Sequence, residues 1–285
     1  MCMITADEKR FILANAYVPE HSVDLMTSVA GGESFLIDGY FGCHRGEEII
    51  LVGYPLQHKF DANELGTFVD QMRKKFNPST ISLIAPELSK QFASSCMENE
   101  CDDYYTLNIH DRSNKKGKGR LSSTAWKKLS IEHSTEMGKA QGILSAEFIA
   151  EVKLPIRVKN LLLKMPSFVN RSRDSVVLNA WDKNSNLAAF YVVDLSARDF
   201  STYVIGCRSK KCPIPGASDL LFFEMIQMSK VYDKRYIHLG LGVNLGIERF
   251  KKKWGGSPTP TYEMCVLNFR KASILDTLRL MRAHT

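Results

Sequence analysis

Apolar and β-branched residues occur in short runs throughout the second half of the chain, and polar residues separate these runs. Three successive runs predict strands over 175–181, 187–194 and 201–207, and the polar residues 182–186 predict a turn between the first two. The elements predicted after them are, in order, a helix over 215–232, a strand over 236–239, a helix over 246–254 and a strand over 262–267. This order places three antiparallel strands before a helical crossover.

The first half shows a similar alternation with weaker signals. Residues 35–43 and 48–54 predict the two strands of a hairpin. Residues 61–75 carry apolar side chains at helical spacing, and an aspartate stands where it can cap this helix. Shorter apolar runs at 82–85 and 104–109 predict further strands.

The composition changes at residues 110–124, which are polar, rich in glycine and lysine, and almost without apolar residues. Such a segment is typical of a linker or a mobile loop. A chain of 285 residues is long enough for two domains. We therefore predict an N-terminal domain over 1–112, a basic linker or loop over 113–124 and a C-terminal domain over 125–285.

The overall composition is that of a folded globular protein, with 44% hydrophobic and 24% charged residues. The N-terminus carries acidic residues where a signal peptide needs a basic segment. No run of about 18 apolar residues is present, so no transmembrane segment is expected. These features predict a cytoplasmic protein.

The seven cysteines are an odd number without a secretion signal, and we expect them to be reduced. Two pairs, Cys96/Cys101 and Cys207/Cys212, have spacings unlike that of a zinc knuckle, and no pair of histidines accompanies them. No bound metal is therefore predicted.

The formal net charge of +7 favours an anionic partner such as a nucleotide, a phospholipid headgroup or RNA. The positive charge is densest in residues 114–120. A surface charge of this size is also common in proteins without such a partner.

A helix start rich in small residues is the first candidate ligand site. Residues 215–219 read Pro-Gly-Ala-Ser-Asp, and the free amides of a helix N-terminus favour phosphate. Gly216 would let a ligand approach the backbone, and Arg208 lies just upstream. A helix simply capped by Asp219 explains the same residues equally well.

A glycine-rich turn follows the strand predicted at 236–239. Its spacing over 240–246 is G-x-G-x-x-x-G, which differs from the dinucleotide fingerprint, and only one further strand follows. A nicotinamide or flavin site of the Rossmann type is therefore not expected. We expect the glycines to leave Asn244 in an open site at the carboxyl end of a strand.

Three consecutive lysines, 251–253, precede Trp254. Successive residues of a helix cannot share one face, so at least one of these lysines should point toward the sheet or a groove. A solvated basic face is the alternative interpretation. Trp254 is typical of a core residue that anchors the end of a helix.

Three residues could take part in proton transfer. Asp194 ends a predicted strand, Tyr203 lies within the next one, and His238 lies on the short strand after the helix. A single histidine on a strand is more often structural. The spacing suggests no Ser/His/Asp or Cys/His arrangement, so catalysis by positioning is favoured over a covalent nucleophile.

Residues 175–267 resemble the acyltransferase fold of the GNAT superfamily, in its Fem-like branch. That branch includes the aminoacyltransferases of peptidoglycan bridges and the lysyltransferase domain that acts on phosphatidylglycerol. The residues that carry the resemblance are 215–221 (PGASDLL), 236–240 (YIHLG) and 244–256 (NLGIERFKKKWGG). The resemblance implies an α+β or α/β protein with two GNAT-like domains in tandem. Each domain would be a mixed, mostly antiparallel sheet flanked by helices.

The resemblance also implies acyl or aminoacyl transfer to an amine or hydroxyl. Acetyl-CoA-dependent members carry Arg/Gln-x-x-Gly-x-Gly/Ala before this helix, whereas residues 211–217 here read KCPIPGA. This departure favours aminoacyl-tRNA or another activated donor over acetyl-CoA. No tightly bound cofactor is implied, although coenzyme A or an acyl-CoA could serve as co-substrate. An anionic lipid or a cell-wall precursor is the acceptor that the resemblance suggests.

Each candidate residue receives a role in this interpretation. Arg208 and the backbone at Gly216, Ala217 and Ser218 would hold the donor's phosphate, and strands 201–207 and 236–240 would part to admit the acyl chain. The substrate-binding candidates are Asn244, which would orient substrate, and Lys253, which would contact an anionic group. Asp194, Tyr203 and His238 would handle protons. The alternative is a non-catalytic module whose cleft recognises a lipid, a peptide or RNA.

Overall fold

The computed structural model describes residues 4–110 and 123–269. These residues form eleven β-strands and nine α-helices. The helices are α1 (Ala6–Asn15), α2 (Val23–Ala30), α3 (Ala62–Phe76), α4 (Lys90–Ser95), α5 (Ser123–Lys128), α6 (Lys139–Glu151), α7 (Ile156–Val169), α8 (Ala217–Val231) and α9 (Leu245–Lys253). The strands are β1 (Glu33–Ile37), β2 (Tyr40–Arg45), β3 (Glu48–Val52), β4 (Thr80–Ala85), β5 (Glu98–Asn108), β6 (Leu129–Ser134), β7 (Ser175–Asp182), β8 (Leu187–Asp194), β9 (Phe200–Arg208), β10 (Tyr236–Leu241) and β11 (Ser257–Asn268).

All of these strands belong to one sheet, in the order β1-β2-β3-β4-β11-β5-β10-β9-β8-β7-β6. Neighbouring strands are antiparallel except in two pairs, β3/β4 and β9/β10. Each parallel pair is joined by one helix, α3 in the first half and α8 in the second. The predicted class, an α+β protein whose mixed sheets are mostly antiparallel and flanked by helices, is confirmed.

The last strand of the chain lies among the strands of the first half. β11 pairs with β4 through residues 263–268 and with β5 over most of its length. β5 in turn pairs with β10, so the two halves share a continuous sheet. The unpaired edges of β4 and β5 obtain their hydrogen bonds from β11. A division of the chain into 1–112 and 125–285 therefore does not divide the sheet.

Residues 35–43 were predicted to form one strand of a hairpin, but in the structure they belong to two strands, β1 and β2. Asp38 and Gly39 both have positive φ angles, 50° and 78°, and they turn the chain between β1 and β2. Asp-Gly favours this two-residue hairpin turn because both central positions need a left-handed backbone. The sheet of the first half therefore begins with three antiparallel strands, whereas the second half has four, because β6 pairs with β7 before the three strands predicted there.

Alternate residues of the central strands face two different layers of helices. On β8, Tyr191 and Val193 belong to the core beneath α8, whereas Phe190 and Val192 belong to the core beneath α6 and α7. This alternation follows the period of two along a strand. In the first half, Asp61 caps α3 by accepting hydrogen bonds from the amides of Asn63 and Glu64, as predicted.

The expectation that all cysteines are reduced was wrong for one pair. Cys96, which follows α4, and Cys265 on β11 form a disulfide with their Cα atoms 5.4 Å apart. They are 169 residues apart in sequence, so spacing gave no sign of the pairing. The pairing depends on the insertion of β11, which brings the end of the chain beside α4.

Most of the predicted basic linker, 113–124, lies outside the described residues. Among the residues that the structure does describe, no helix is long and apolar enough to cross a membrane.

Candidate active site

The two strands of the C-terminal parallel pair separate after a short ladder. β9 and β10 pair only through Phe200–Thr202 and Tyr236–His238. β9 continues to Arg208 along β8, and β10 continues to Leu241 along β5. The strands therefore diverge beyond Thr202 and His238 and leave a V-shaped opening in the sheet, which we call the splay.

A β-bulge lies on each strand that borders the splay. On β9, Val192 of β8 is opposite Ile205 and Val193 is opposite Tyr203, so Val204 is the additional residue. On β10, the pairing with β5 shifts between His238 and Leu241. Bulges bend a strand and leave backbone groups without a partner in the ladder. The paired bulges explain why β9 and β10 part at this level.

Gly240 lies within the β10 bulge and adopts a φ of +70°. The turn that follows is held from β5, because the carboxylate of Asp102 accepts hydrogen bonds from the amides of Gly242 and Val243. Glycine at 240 lets the strand leave the ladder without strain. The glycines of 240–246 thus shape the splay rather than a dinucleotide site.

Tyr203 points from the β9 bulge toward α8. Its ring meets Tyr191 edge-on with centroids 4.9 Å apart, and Tyr191 donates a hydrogen bond to the carbonyl of Ser218. The Tyr203 hydroxyl lies above Gly206, where a Cβ atom would come within 2.6 Å of it. Burial raises the pKa of Tyr203 above its ordinary value, so its hydroxyl remains protonated at neutral pH.

The N-terminus of α8 faces the end of β9 without a side-chain cap. Gly216 occupies the N-cap position with a φ of +86°. The amides of Ala217 and Leu220 donate to Ile214 and to Gly216, while those of Ser218 and Asp219 have no partner in the described part of the chain. Free amides at this end of a helix favour an anion.

Asp219 does not cap α8, contrary to the alternative interpretation of this segment. Its Oδ1 accepts hydrogen bonds from Nζ of Lys253 at 2.6 Å and from Nε1 of Trp254 at 3.0 Å. Trp254 is buried and packs against Phe222 of α8. These contacts fix the end of α9 to the beginning of α8 and offset the negative charge of Asp219.

The cationic residues beside α8 differ in how they are paired. Lys210 and Lys211 form ion pairs with Glu151 and Glu147 of α6. Arg208 is exposed at the end of β9, and its guanidinium has no hydrogen-bond or ion-pair partner among residues 4–110 and 123–269. Arg208 is therefore the cation of this group that remains available to a ligand.

His238 is the last residue of the β9/β10 ladder and is buried on the face opposite α8. Its Nδ1 accepts a hydrogen bond from the amide of Gly240 at 3.2 Å, so the proton of the neutral ring is on Nε2. Burial, and then the ammonium of Lys251, lower the pKa of His238 to about 3. At neutral pH His238 is thus uncharged and donates through Nε2, which disfavours the proton transfer for which it was a candidate from the sequence.

Asp194 occupies the same row of the sheet as His238, with Thr202 between them. Its carboxylate accepts hydrogen bonds from the amide and hydroxyl of Ser196, and burial raises its pKa. The ammonium of Lys234 lies close enough to Asp194 to interact with its charge, and it donates hydrogen bonds to the carbonyls of residues 195 and 197. The contacts favour a role for Asp194 in fixing the β8–β9 turn.

Lys251 was not selected from the sequence, although one of the three lysines was expected to point inward. It is 3% exposed, and its Nζ donates to the carbonyl of Leu241 at the end of β10. Burial lowers its pKa to about 7, against the opposing effect of Asp102 and Glu248. The neighbouring Lys252 is exposed and forms an ion pair with Glu248.

Asn244 begins α9. Its Oδ1 accepts hydrogen bonds from the amides of Gly246 and Ile247 at 3.0 Å each, so the side chain caps the helix. The described residues contain no group of three or more histidine, cysteine, aspartate or glutamate side chains placed to hold a metal ion.

The sequence candidates therefore fall into three groups. Tyr203, Arg208 and the start of α8 face one side of the splay, while Asp194 and His238 lie on the other side of the sheet. Asn244 and Lys253 hold α9 in position. The bulges and Lys251 complete the site. A rule for inward-facing helix positions could have distinguished Lys251, but the strand pairing needed for the bulges is absent from a single sequence.

Solved structures share this architecture over nearly the whole chain. The C-terminal domain of a putative lysylphosphatidylglycerol synthetase from Agrobacterium fabrum is 14% identical, with a TM-score of 0.54, and the match covers 98% of this chain and 96% of that one. A tandem GNAT protein from the clavulanic acid biosynthesis pathway is 10% identical, with a TM-score of 0.57 and coverages of 95% and 98%. FemX is 9% identical, with a TM-score of 0.56 and coverages of 92% and 96%.

These identities are low, and the likeness concerns the fold. No protein-family model matches the chain, and a search of curated protein sequences finds no match either. The likeness therefore lies in the arrangement of strands and helices and not in the sequence as a whole.

Proposed function

Since the chain has the tandem GNAT fold, we propose that its C-terminal half transfers an acyl or aminoacyl group from an activated donor to an amine or hydroxyl. The observation that carries this proposal is the splay between β9 and β10. An opening in the middle of a sheet gives an extended donor access to backbone groups on both strands. Those groups would polarise the acyl carbonyl as negative charge develops on its oxygen.

The donor's phosphate would bind where β9 ends and α8 begins. The free amides of Ser218 and Asp219 point out of the helix there, and Arg208 is the unpaired cation nearby. Gly216 and Ala217 supply the tight entry into α8 that lets a phosphate approach. Asp219 does not repel it strongly, because Lys253 and Trp254 occupy its carboxylate.

Proton transfer would involve Tyr203 and Lys251. The acceptor's nitrogen or oxygen attacks the acyl carbon, a new bond to carbon forms, and the bond from carbon to the donor's sulfur or oxygen breaks. Tyr203 keeps its proton at neutral pH and could give it to the leaving group. Lys251, with a pKa of about 7, could accept the acceptor's proton, directly or through water.

Aminoacyl-tRNA and acyl-CoA remain the two donor classes. The departure of residues 211–217 from the acetyl-CoA pattern favours aminoacyl-tRNA, and the ion pairs of Lys210 and Lys211 leave few free cations around α8 for the phosphates of coenzyme A. The net charge of the whole chain, +7, is compatible with either donor class. In this proposal Asn244 and Lys253 act by holding α9, and the acceptor is an amine or hydroxyl, including that of an anionic lipid or cell-wall precursor.

Donor binding and transfer test the proposal directly. The full chain is titrated with aminoacyl-tRNA and with acyl-CoAs, and transfer to added amines is followed by mass spectrometry. Replacement of Arg208 by alanine should weaken donor binding by about 1.5–3 kcal/mol, the usual value of a charge-assisted hydrogen bond. Affinity for a tRNA donor should also fall steeply as salt rises, because many phosphates are engaged.

The matched control is Arg235→Ala. Arg235 is also an exposed arginine next to a strand of the splay, but it precedes β10 and pairs with Asp199. This variant should bind the donor as the parent does. If neither donor class binds, or if Arg208→Ala and Arg235→Ala behave alike, the transfer proposal fails. Binding of a lipid, peptide or RNA without transfer would favour the non-catalytic module.

A further inference from the structure

A cavity of about 260 Å³ lies on the face of the sheet opposite α8, beside the vertex of the splay. Its walls are mostly aromatic, and the residues that the argument uses are Tyr17, Tyr104, Thr106, Tyr236, His238 and Thr259. They come from the segment before α2, from β5, from β10 and from β11. The cavity therefore exists only where both halves of the chain meet.

The rings around the cavity are fixed by packing against one another. Tyr104 meets His238 edge-on at 4.9 Å, and Tyr236 stacks on Phe200 at 5.2 Å. The hydroxyl of Tyr17 donates to the carbonyl of Pro55, and that of Tyr104 donates to Glu20. The hydroxyls of Tyr17 and Tyr104 are thus engaged elsewhere, and these rings offer a ligand their aromatic faces and edges.

A ring nitrogen in the wall has no hydrogen-bond partner in the described part of the chain. His238 is 1% exposed and carries its proton on Nε2, because Nδ1 accepts the hydrogen bond from Gly240. Nε2 has no hydrogen-bond partner among the described residues, and the ring lines the cavity. A ligand that displaces water from the cavity would bury this N–H, and a buried N–H without a partner is costly, so a ligand that supplies an acceptor is favoured there.

The charges around the cavity decide which kind of ligand it accepts. Aromatic walls could also bind a cation, but His238 directs an N–H group inward, and Lys251 lies close enough to lower its pKa. The carboxylates that act on the wall tyrosines are already paired: Glu20 accepts from Tyr104 and feels the charge of Arg157, and Asp199 pairs with Arg235. A carboxylate ligand would lose its hydration in exchange for neutral donors alone, because Lys251 does not line the cavity and donates to the carbonyl of Leu241. An uncharged ligand avoids both costs.

We propose that this cavity binds an uncharged aromatic group that carries a carbonyl, with the carbonyl oxygen accepting the hydrogen bond of His238. A cavity of about 150 Å³ holds a benzene ring, so the volume here is sufficient for a ring with a short carbonyl-bearing side chain. Its position at the splay vertex makes this group part of a substrate of the proposed transfer, either the acyl group of the donor or the acceptor. That last assignment rests on the proposed function, whereas the binding itself does not.

Phenylacetamide is a suitable probe, and its binding to the full chain can be followed by NMR of the histidine Nε2–H and tyrosine ring signals. It should bind saturably and at least tenfold more tightly than benzylamine, which is a cation, or phenylacetate, which is an anion. His238→Phe keeps a ring in place but removes the donor. This variant should bind phenylacetamide at least tenfold more weakly. Its affinity for toluene, which has no hydrogen-bond acceptor, should be unchanged.

Tyr236→Leu should weaken the binding of both phenylacetamide and toluene, because it removes a wall of the cavity. The matched control is Tyr232→Leu at the exposed end of α8, which should change neither. Equal or tighter binding of benzylamine or phenylacetate, or no saturable binding of phenylacetamide, would overturn the inference. So would an unchanged phenylacetamide affinity in a folded His238→Phe protein.

The binding assay needs no catalytic turnover, so the inference and the transfer proposal fail separately. Transfer without phenylacetamide binding refutes the inference alone, whereas binding without transfer refutes the proposed function alone. In an active preparation, competition of phenylacetamide against the donor assigns the cavity to the acyl group. Competition against the acceptor assigns it to the acceptor.

Discussion

The two parallel strand pairs of this protein have the same connection but different geometry. In the N-terminal pair, β3 and β4 remain in register over five residue pairs, and Gly53 extends the ladder with a hydrogen bond to Ile84. In the C-terminal pair, β9 and β10 share three residue pairs and then diverge at two bulges. Only the second pair leaves an opening.

The surroundings of the two pairs match this difference. A Cβ atom on Gly53 would lie 3.0 Å from the carbonyl of Ile84 and 3.1 Å from the side chains of Leu65 and Ala85, so the N-terminal pair is closed by backbone and apolar groups. The C-terminal pair is bordered by Tyr203, His238 and the buried Lys251. The two halves therefore share a strand arrangement, but only the second half has the opening. The N-terminal half instead supplies walls to the cavity beside the splay.

The largest effect should come from separating the halves. A fragment of residues 1–110 lacks β11, which is the partner of both β4 and β5, so we expect it to remain unfolded. Mixing it with a fragment of 111–285 should restore the native spectrum, because the missing strand returns. Dispersed NMR signals from 1–110 alone would show that the halves are independent and that their comparison concerns two separate domains.

Lys251 should make stability depend on pH in a way that the closed N-terminal pair cannot. Its pKa in the folded protein is about 7, below the ordinary 10.5, so between these values the unfolded chain binds the additional proton. Stability from this group therefore rises with pH across that window and is lost below it. The stability advantage of Lys251→Met over the parent should shrink by on the order of 4 kcal/mol from pH 6 to pH 10, as measured by urea unfolding.

The adjacent Lys252→Met provides the control for this measurement. Its side chain is 54% exposed, so its effect on stability should not vary across the same window. A pH-independent difference for Lys251→Met would mean that Lys251 is solvated in solution and is not held in the wall of the splay.

Reduction of the Cys96–Cys265 disulfide should destabilise the attachment of β11 to the first half. The bridge closes a long loop, so its loss is expected to cost about 2–4 kcal/mol of unfolding free energy. Urea unfolding with and without a reductant measures this difference, and Cys265→Ser should abolish it. Cys101→Ser removes a free thiol and should have no such effect. Equal stability with and without reductant would contradict the pairing.

Two glycine substitutions compare the parallel pairs most directly and should have the smallest effects. Gly53→Ala introduces a tight contact in the closed pair and should cost about 1–3 kcal/mol of stability without changing donor binding. Gly206→Ala would place its Cβ against Tyr191 and the hydroxyl of Tyr203. This substitution should cost a similar amount of stability and should also weaken donor binding. Thermal unfolding and donor titration separate the two effects. Equal donor affinity in both variants would show that Tyr203 does not contribute to donor binding.

Local patterns predicted residues 175–267 well because their elements follow from short-range rules, but they gave no sign of the strand β6 at Leu129–Ser134. The strand predicted over 187–194 matches β8, and the helix predicted over 215–232 differs from α8 by one or two residues at each end. The inward-facing lysine followed from helical geometry alone, since three successive positions cannot share a face. In the first half, the Asp38-Gly39 turn was present in the sequence but was read as the interior of a strand.

The sequence by itself determined the alternation of strands and helices, the unusual start of α8 and the cluster of candidate residues around it. These features depend on side-chain periodicity and on turn residues that act within a few positions. Tertiary structure alone decided that β11 crosses into the first half, that Cys96 meets Cys265, and that Asp219 binds Lys253 and Trp254. It also decided that His238 and Tyr203 face opposite sides of the sheet, because the pairing of β10 with β9 places His238 beside Thr202, and Tyr203 is the next residue along β9.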